Sequence, residues 1–233
     1  MKIALLGYGK MGKVVEKIAL HRGHEIVLRK TSSNNFEGLE LADVAIDFSV
    51  TAVAVENISA SLHAGIPTVS GTTGWLENYH QMKNLCDEKK TAFIYGSNFS
   101  LGVNLFFELN NYLAQMMSKF NQYSISMEEI HHTEKLDAPS GTAISLANSI
   151  ISNSKYDNWT IDKAAENELF IDAKRIENVP GTHSVYYHSA VDSIEIKHTA
   201  HSRDGFGLGA IIAAEWLVNK KGVFTMRDVL ANN

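Results

Sequence analysis

The sequence predicts an α/β fold: a Rossmann-type doubly wound parallel sheet with an inserted α+β domain. Three observations support this prediction. Short apolar strands alternate with helical segments through the first hundred residues. The first strand is followed at once by a G-x-G-x-x-G pattern that opens a helix. After residue 100 the alternation gives way to a long helix and then to segments with the two-residue period of an open sheet.

The elements can be placed in chain order from their periodicity. In the first part, strands are expected over residues 2–6, 25–28, 44–47, 68–70 and 91–95, and helices over residues 13–20, 51–64 and 76–89. A long helix is then expected over 101–120, a strand over 123–130, paired strands over 182–190 and 193–200, and helices over 205–218 and 224–230. Residues 156–177 are polar and weakly periodic, and no element is predicted there. The order predicts a dinucleotide-binding domain of residues 1–100 and 204–233, and a substrate domain of residues 101–203.

Composition narrows the functional classes. The chain has 45% hydrophobic and 20% charged residues, which is ordinary for a globular protein. A net charge of -5 argues against a nucleic-acid partner. Its single cysteine, Cys86, cannot form an internal disulfide. No targeting segment and no membrane-length apolar run are visible, so a cytoplasmic location without a membrane partner is expected.

The glycine pattern predicts a nicotinamide dinucleotide as cofactor. Gly7 suits the tight turn, Gly9 admits the pyrophosphate, and Gly12 allows close packing of helix on strand. NAD sites usually have an acidic residue at the end of the second strand, but this chain has Arg29 and Lys30 there. These basic residues favour NADPH over NADH, although they could also be solvated surface residues.

The most informative stretch is E-E-I-H-H-T-E-K-L-D-A-P-S-G-T-A, residues 128–143. Ser140 is a suitable N-cap, so the N–H groups near Gly141 and Thr142 are free to bind an anion. The pattern therefore favours a small substrate that carries carboxylates.

The basic side chains of this stretch add proton chemistry. His131, His132 and Lys135 would surround a bound anion, and histidine exchanges protons near neutral pH. Paired histidines at a strand end are also often structural. No metal site is expected, because the stretch lacks a cysteine pair and the His spacing of zinc enzymes.

Several motifs together resemble the bacterial 4-hydroxy-tetrahydrodipicolinate reductase (dihydrodipicolinate reductase) family, in a short form. They are GYGKMG, IDFS, GTTG, SNFSLGVN, EIHHTEKLDAPSGTA, VPGTHS, the sequence HSR that ends at Arg203, and FTMRDVL. The resemblance implies reduction of a cyclic unsaturated dicarboxylate by NADPH or NADH in lysine and diaminopimelate biosynthesis. It also implies a homotetramer that assembles through the sheet of the substrate domain.

The resemblance also implies roles for individual residues. His131 would be the catalytic proton donor and acceptor and Lys135 a proton donor, while His132, Gly141 and Thr142 would bind substrate. The cofactor would be lined by three segments: Gly7, Tyr8, Gly9, Lys10, Met11 and Gly12; Gly71, Thr72 and Thr73; and Gly96, Ser97, Asn98 and Phe99.

The chain departs from the family pattern near the cofactor. Its glycine loop is one residue shorter than the longer family form, Lys10 replaces the usual arginine, and Val50 stands where many members have a basic residue. Cofactor preference therefore stays open. The alternative functions are another nicotinamide-dependent amino-acid dehydrogenase and a non-catalytic NADP(H)-sensing module.

Overall fold

The computed structural model describes residues 1–202 and 204–231, which form two compact units. The first unit contains Met1–Asn104 and the chain from Asp204 onward. The second unit begins at Leu105 and contains the residues between these two parts. Arg203, the last residue of the HSR motif, and residues 232–233 lie outside the described residues. No helix in the described part of the chain has the length and apolar character needed to span a membrane.

The described residues contain eleven strands and seven α-helices. The strands are β1 (Lys2–Leu6), β2 (Glu25–Lys30), β3 (Val44–Asp47), β4 (Thr68–Ser70), β5 (Ala92–Tyr95), β6 (Ser124–His131), β7 (Asn158–Thr160), β8 (Glu168–Arg175), β9 (Gly181–His188), β10 (Ser193–Ala200) and β11 (Gly222–Phe224). The helices are α1 (Lys10–His21), α2 (Thr51–His63), α3 (Tyr79–Lys89), α4 (Leu101–Met117), α5 (Gly141–Ile151), α6 (Asp204–Leu217) and α7 (Met226–Ala231).

The first unit contains a parallel six-stranded sheet in the order β11-β5-β4-β3-β1-β2. Apolar strand residues such as Ile3 and Ile46 pack in one cluster with Val15 of α1 and Ala214 of α6. The strand order reverses between β1 and β3, and ligands of such sheets bind at the carboxyl ends of the strands beside this reversal. The predicted Rossmann-type parallel sheet is confirmed.

Several boundaries in this unit differ from the prediction, most of them by a few residues. Strand β2 extends two residues further, so Arg29 and Lys30 end the strand instead of following it. The helix expected over 76–89 begins as a 3₁₀ turn at Leu76–Asn78 before α3. The helix expected over 224–230 starts later, at Met226, because residues 222–224 pair with β5 as a sixth strand.

The second unit contains a mixed five-stranded sheet in the order β10-β9-β6-β8-β7. Strand β6 lies at its centre, antiparallel to β9 and parallel to β8. Helices α4 and α5 contribute to the apolar cluster of this unit, which includes Phe106, Met127, Leu146, Leu169 and Val185. The predicted pairing of residues 182–190 with 193–200 is confirmed by the β9–β10 ladder.

Strands β7 and β8 occupy the segment in which no element was predicted. The face of β8 opposite the apolar cluster carries Asp172 and Lys174, and Lys174 pairs with Glu128 of β6. Strand β8 combines charged residues with only a few apolar ones, so its two-residue hydrophobic period is too weak to predict a strand from the sequence. Its last residue, Arg175, belongs to the candidate active site.

Candidate active site

The first unit has a groove of about 830 Å³ at the carboxyl ends of β1, β3 and β4. Its lining includes nine of the residues predicted to contact a cofactor: Gly7, Tyr8, Gly9, Lys10, Met11, Lys30, Gly71, Thr72 and Thr73. The residues Phe48, Ser49, Val50 and Asn57 also contribute to it. Its position beside the strand-order reversal is where a doubly wound sheet binds nucleotides.

The three glycines of the loop differ in what the protein itself requires of them. Gly7 has a φ of +96°, and a Cβ there would lie 2.4 Å from the carbonyl oxygen of Phe48. A Cβ on Gly12 would lie 2.3 Å from the carbonyl oxygen of Gly7. Gly9, the N-cap of α1, has an ordinary φ of -86°, and its Cβ would meet nothing within 4 Å. Only Gly9 therefore leaves open space at the helix start, as close approach of a pyrophosphate requires.

The basic pair at the end of β2 is divided between two roles. The Nε of Arg29 donates to Glu16 Oε1 at 2.7 Å, and its guanidinium lies 5.9 Å from the centre of the Tyr8 ring. Hydrogen bonds from Arg29 and the Tyr8 hydroxyl lower the pKa of Glu16. Lys30 lines the groove, and its Nζ donates to the carbonyl oxygen of Thr31 at 2.7 Å. Arg29 is thus held on α1, and Lys30 is the basic side chain that lines the groove.

The segment after β5 does not line the groove, and neither do Gly12 and Arg29. Phe99 is buried and packs edge-to-face with Phe48, with ring centres 6.1 Å apart. Asn98 Oδ1 accepts a hydrogen bond from Ser100 N at 2.9 Å. A cofactor contact by Gly96, Ser97, Asn98 and Phe99 stays a prediction.

In the second unit, Glu129 is a fully buried carboxylate at the centre of a polar cluster. Both carboxylate oxygens accept from the backbone N–H of Ser140, at 3.1 and 3.0 Å. Two buried histidines flank Oε2: Nδ1 of His131 lies 3.5 Å away and Nε2 of His183 lies 3.6 Å away. Glu129 and His183 are direct partners across the β6–β9 ladder, which explains their proximity.

Arg175 supplies the neutralising charge. It stands opposite His131 in the β6–β8 ladder, and its Nη1 and Nη2 each lie 3.3 Å from Glu129 Oε1. The same guanidinium donates to the backbone carbonyl of Asp137 at 2.6 Å and to that of Lys135 at 3.3 Å. Arg175 therefore joins the buried carboxylate to the loop that carries the predicted proton donor.

This environment shifts the pKa values of two cluster members. Burial acts to raise the pKa of Glu129, but hydrogen bonds from His183 and Ser140, with the charge of His131, lower it to about 2. Burial, opposed by the charge of Glu129 and helped by the charges of His183, Lys135 and Arg175, lowers the pKa of His131 to about 4. Glu129 is therefore ionised at neutral pH, and His131 is neutral unless a ligand adds negative charge.

The start of α5 lies beside this cluster. Ser140 caps the helix, because its Oγ accepts from the N–H of Ala143 at 3.2 Å, as predicted. Gly141 is exposed, and a Cβ there would meet nothing within 4 Å. Thr142 is half-buried. The peptide bond from Ala138 to Pro139 is cis.

The remaining predicted residues lie on the loop before α5. Lys135 Nζ donates to both carboxylate oxygens of Asp137 at 2.8 Å, which lowers the pKa of that carboxyl. His132 is half-buried, with an unpartnered Nδ1, and lines a second cavity of about 440 Å³ together with residues 177–180. Within the second unit, the structure therefore places His131 in the buried cluster, Lys135 on its linked loop and His132 at this cavity.

Glu129, His131 and His183 also have the side-chain types that bind zinc, and their donor atoms lie within 4.8 Å of one another. Arg175, however, already places a positive charge on the carboxylate, and Ser140 Oγ lies 3.1 Å from His183 Nε2. We therefore interpret the cluster as a charge and hydrogen-bond network. Sequence reasoning missed Glu129, Arg175 and His183. The E-x-H order at the end of β6 was the only local signal.

Comparisons with known proteins show to which family the chain belongs. Two family models match, described as dihydrodipicolinate reductase N-terminus over residues 1–99 and C-terminus over residues 102–230. A 4-hydroxy-tetrahydrodipicolinate reductase from Christiangramia forsetii is 54% identical, over 100% of this chain and 98% of that protein. One from Thermosipho africanus is 34% identical, over 99% and 98%.

A solved structure shares the fold. The dipicolinate-bound dihydrodipicolinate reductase from Paenisporosarcina sp. TG-14 superimposes with a TM-score of 0.79 at 20% identity, covering 97% of both chains. The two family models together cover both units of the chain. On these matches, the chain belongs to the dihydrodipicolinate reductase family.

Proposed function

We propose that this protein reduces 4-hydroxy-tetrahydrodipicolinate to tetrahydrodipicolinate with NADPH or NADH, in lysine and diaminopimelate biosynthesis. The observation that carries the proposal is the open start of α5 at Gly141, next to a buried cluster with a histidine able to exchange protons. The full-length identity with reductases of that name supports the choice of substrate.

The second unit has the groups that a dicarboxylate requires. The first N–H groups of α5 have no partners within the helix and carry the positive end of its dipole. A carboxylate can approach them at Gly141, where no side chain stands in the way, and Thr142 can add a hydroxyl donor. We assign His132 and Lys135 to the same ligand, because both lie on the loop before α5 and both can donate a hydrogen bond to a carboxylate.

The groove of the first unit fits a nicotinamide dinucleotide. Gly9 leaves space for a pyrophosphate at the start of α1, and Lys30 presents a positive charge to a 2′-phosphate. When bound, the cofactor supplies a hydride. Tyr8, Lys10, Met11, Gly71, Thr72 and Thr73 would complete the lining.

His131 is the residue we assign to proton transfer. Its Nδ1 is buried against Glu129, so Nε2 is the ring nitrogen left to reach a ligand. A bound dicarboxylate brings negative charge, which raises the pKa of His131 from about 4 and allows it to take up a proton. That proton can then pass to the reduced substrate, with Lys135 as a second donor. General acid catalysis of this kind contributes about 10²–10⁴-fold to the rate.

The decisive experiment is oxidation of NADPH or NADH followed by absorbance, with freshly generated substrate. Turnover that depends on both components supports the proposal. Absence of turnover with either cofactor, while both bind, would favour the non-catalytic sensing module. Turnover with a simple amino acid or its keto acid instead would favour an amino-acid dehydrogenase.

A homotetramer and a cytoplasmic location complete the proposal. Helices α4 and α5 pack against one face of the sheet of the second unit, whereas Phe170 and Tyr186 lie on the opposite face. Phe170 is 37% exposed, and a sheet face with such residues suits association between copies. Light scattering should then give four times the chain mass of 25.7 kDa, and a monomer mass would contradict it.

A further inference from the structure

One residue outside the predicted set, Glu129, joins every part of the candidate proton-transfer site. It contacts two histidines through Oε2, the start of α5 through the N–H of Ser140, and the guanidinium of Arg175 through Oε1. A buried carboxylate is costly unless it is paired and hydrogen-bonded, and Glu129 has both kinds of partner. The number of polar groups around this one carboxylate indicates that Glu129 has a role beyond packing.

We propose that Glu129 is a positioning residue of the reaction, which fixes the imidazole of His131 with its Nδ1 toward the carboxylate and its Nε2 toward the substrate. This inference rests on the proposed function. A hydrogen on Nδ1 is favoured because the neighbouring atom is a carboxylate oxygen, which only accepts hydrogen bonds. The tautomer left by this choice has a lone pair on Nε2, which can take up and return a proton.

Gly181 leaves the space that the imidazole of His131 occupies beside Glu129. A Cβ at this position would lie 3.1 Å from Nε2 of His131, closer than ordinary packing allows. Its φ of +158° is also a backbone conformation that residues with a side chain rarely adopt. Glycine at this position therefore suits the backbone and leaves room for the ring. A side chain at this position would push the ring away from its place beside Glu129.

Arg175 extends the same control to the loop. Because it binds Glu129 and also the carbonyl oxygens of Lys135 and Asp137, it fixes the loop backbone relative to β6. The N–H of Ser140, donated to the same carboxylate, fixes the first residue before Gly141. Glu129 therefore sets the relative positions of the proton-transfer side chain and the anion-binding helix start.

The test compares Glu129→Gln with wild type in the intact protein. Gln keeps the size of the side chain and removes its charge, so the pKa of His131 should fall. We expect turnover to drop at least tenfold, the Michaelis constant for NADPH to stay within twofold, and the alkaline limb of the turnover–pH profile to move down by on the order of one pH unit. Glu129→Asp, which keeps the charge, should return the limb to within about 0.3 pH unit of wild type.

His183→Gln should move the same limb in the opposite direction, because the charge of His183 lowers the pKa of His131. If Glu129→Gln fails to fold, Glu129→Asp decides the matter: its shorter side chain draws the carboxylate back from Nδ1 of His131, so turnover should fall, and wild-type turnover would overturn the inference. Glu166→Gln makes the same carboxylate-to-amide change at an exposed position of the second unit and should leave the profile unchanged. An unmoved limb in a folded Glu129→Gln protein would overturn the inference and leave Glu129 a purely structural residue.

A second measurement separates this inference from the proposed function. The pKa and tautomer of His131 can be followed by NMR with ring-labelled histidine in the full protein, assigned through His131→Gln. If wild type shows no turnover, the proposed function fails, and the inference is judged on this titration alone. A His131 pKa that is identical in wild type and Glu129→Gln would refute it.

Discussion

Two glycines that the protein's own packing does not require, Gly9 and Gly141, lead to a double test of the two sites. Each lies at the start of a helix, and a Cβ on either would meet nothing within 4 Å. Alanine should therefore be tolerated by the fold at both positions. It should weaken a different ligand in each case: the cofactor for Gly9→Ala and the dicarboxylate for Gly141→Ala.

The expected magnitudes follow from the helix positions. Replacing glycine by alanine where the backbone is unstrained stabilises a protein by about 0.4–1 kcal/mol. Gly141 is the first residue of α5, so we expect this gain and a rise in melting temperature of about 1–4 °C. Gly9 is an N-cap, where alanine is disfavoured by a similar amount, so its melting temperature should stay nearly constant.

Loss of ligand binding should be larger than these changes in stability. A methyl group that displaces one hydrogen bond between a backbone N–H and a charged oxygen costs about 1.5–3 kcal/mol, or about ten- to a hundredfold in affinity. Calorimetry with NADPH should show this loss for Gly9→Ala alone, and calorimetry with dipicolinate should show it for Gly141→Ala alone. Each variant is the control for the other. Unchanged affinity for both ligands in both folded variants would refute the assignment of the two helix starts.

Three further predictions concern the charged residues. Lys30→Ala should raise the NADPH dissociation constant about tenfold and leave NADH nearly unchanged, since it removes one charge near a phosphate; Arg29→Ala should do less, because its side chain is held on α1. Equal losses for both cofactors would contradict this. His131→Gln should reduce turnover with little change in cofactor binding, Lys135→Ala should also weaken substrate binding, and the double variant should lose less than the product of the two losses. Strictly multiplicative losses would mean that the two residues act independently. Finally, the folded pKa values of Glu129 (about 2, ordinarily 4.5) and His131 (about 4, ordinarily 6.5) are both depressed, so protons bind more readily to the unfolded chain. The stability that these two groups contribute is complete above pH 6.5. It falls below that pH as His131 is protonated, and falls again below pH 4.5 as Glu129 is protonated. A melting temperature that is constant from pH 7 to 3 would contradict this.

The parts of the site that sequence reasoning found are those with local signals. Ser140 and Gly141 follow a helix-capping pattern, and the glycine loop lies between a strand and a helix in the sequence itself. Glu129, His183 and Arg175 meet only because β6 pairs with β9 on one side and with β8 on the other. Such register is set by the whole sheet, and no short pattern encodes it.

Tertiary contacts also explain why the residues of the cofactor groove were only partly predicted. The sequence correctly located two basic residues at the end of β2, but not their separation into different roles. Arg29 is drawn to Glu16, thirteen residues earlier, and this depends on how α1 lies against β2. Strand β11 was missed because three residues carry no measurable periodicity, and only their pairing with β5 makes them a strand.

The return of the chain to the first unit has a consequence for synthesis on the ribosome. Residues of α6, such as Ala210 and Leu217, share a core with Ile3 and Leu5, and β11 completes the sheet against β5. A nascent chain that has emerged only as far as β10 lacks these elements, but it already contains the strands and helices of the second unit. The unit that lies later in the sequence can thus finish folding first, while the N-terminal sheet lacks part of its apolar core until α6 and β11 leave the exit tunnel. During that interval the N-terminal half is the part of the nascent protein whose core is incomplete.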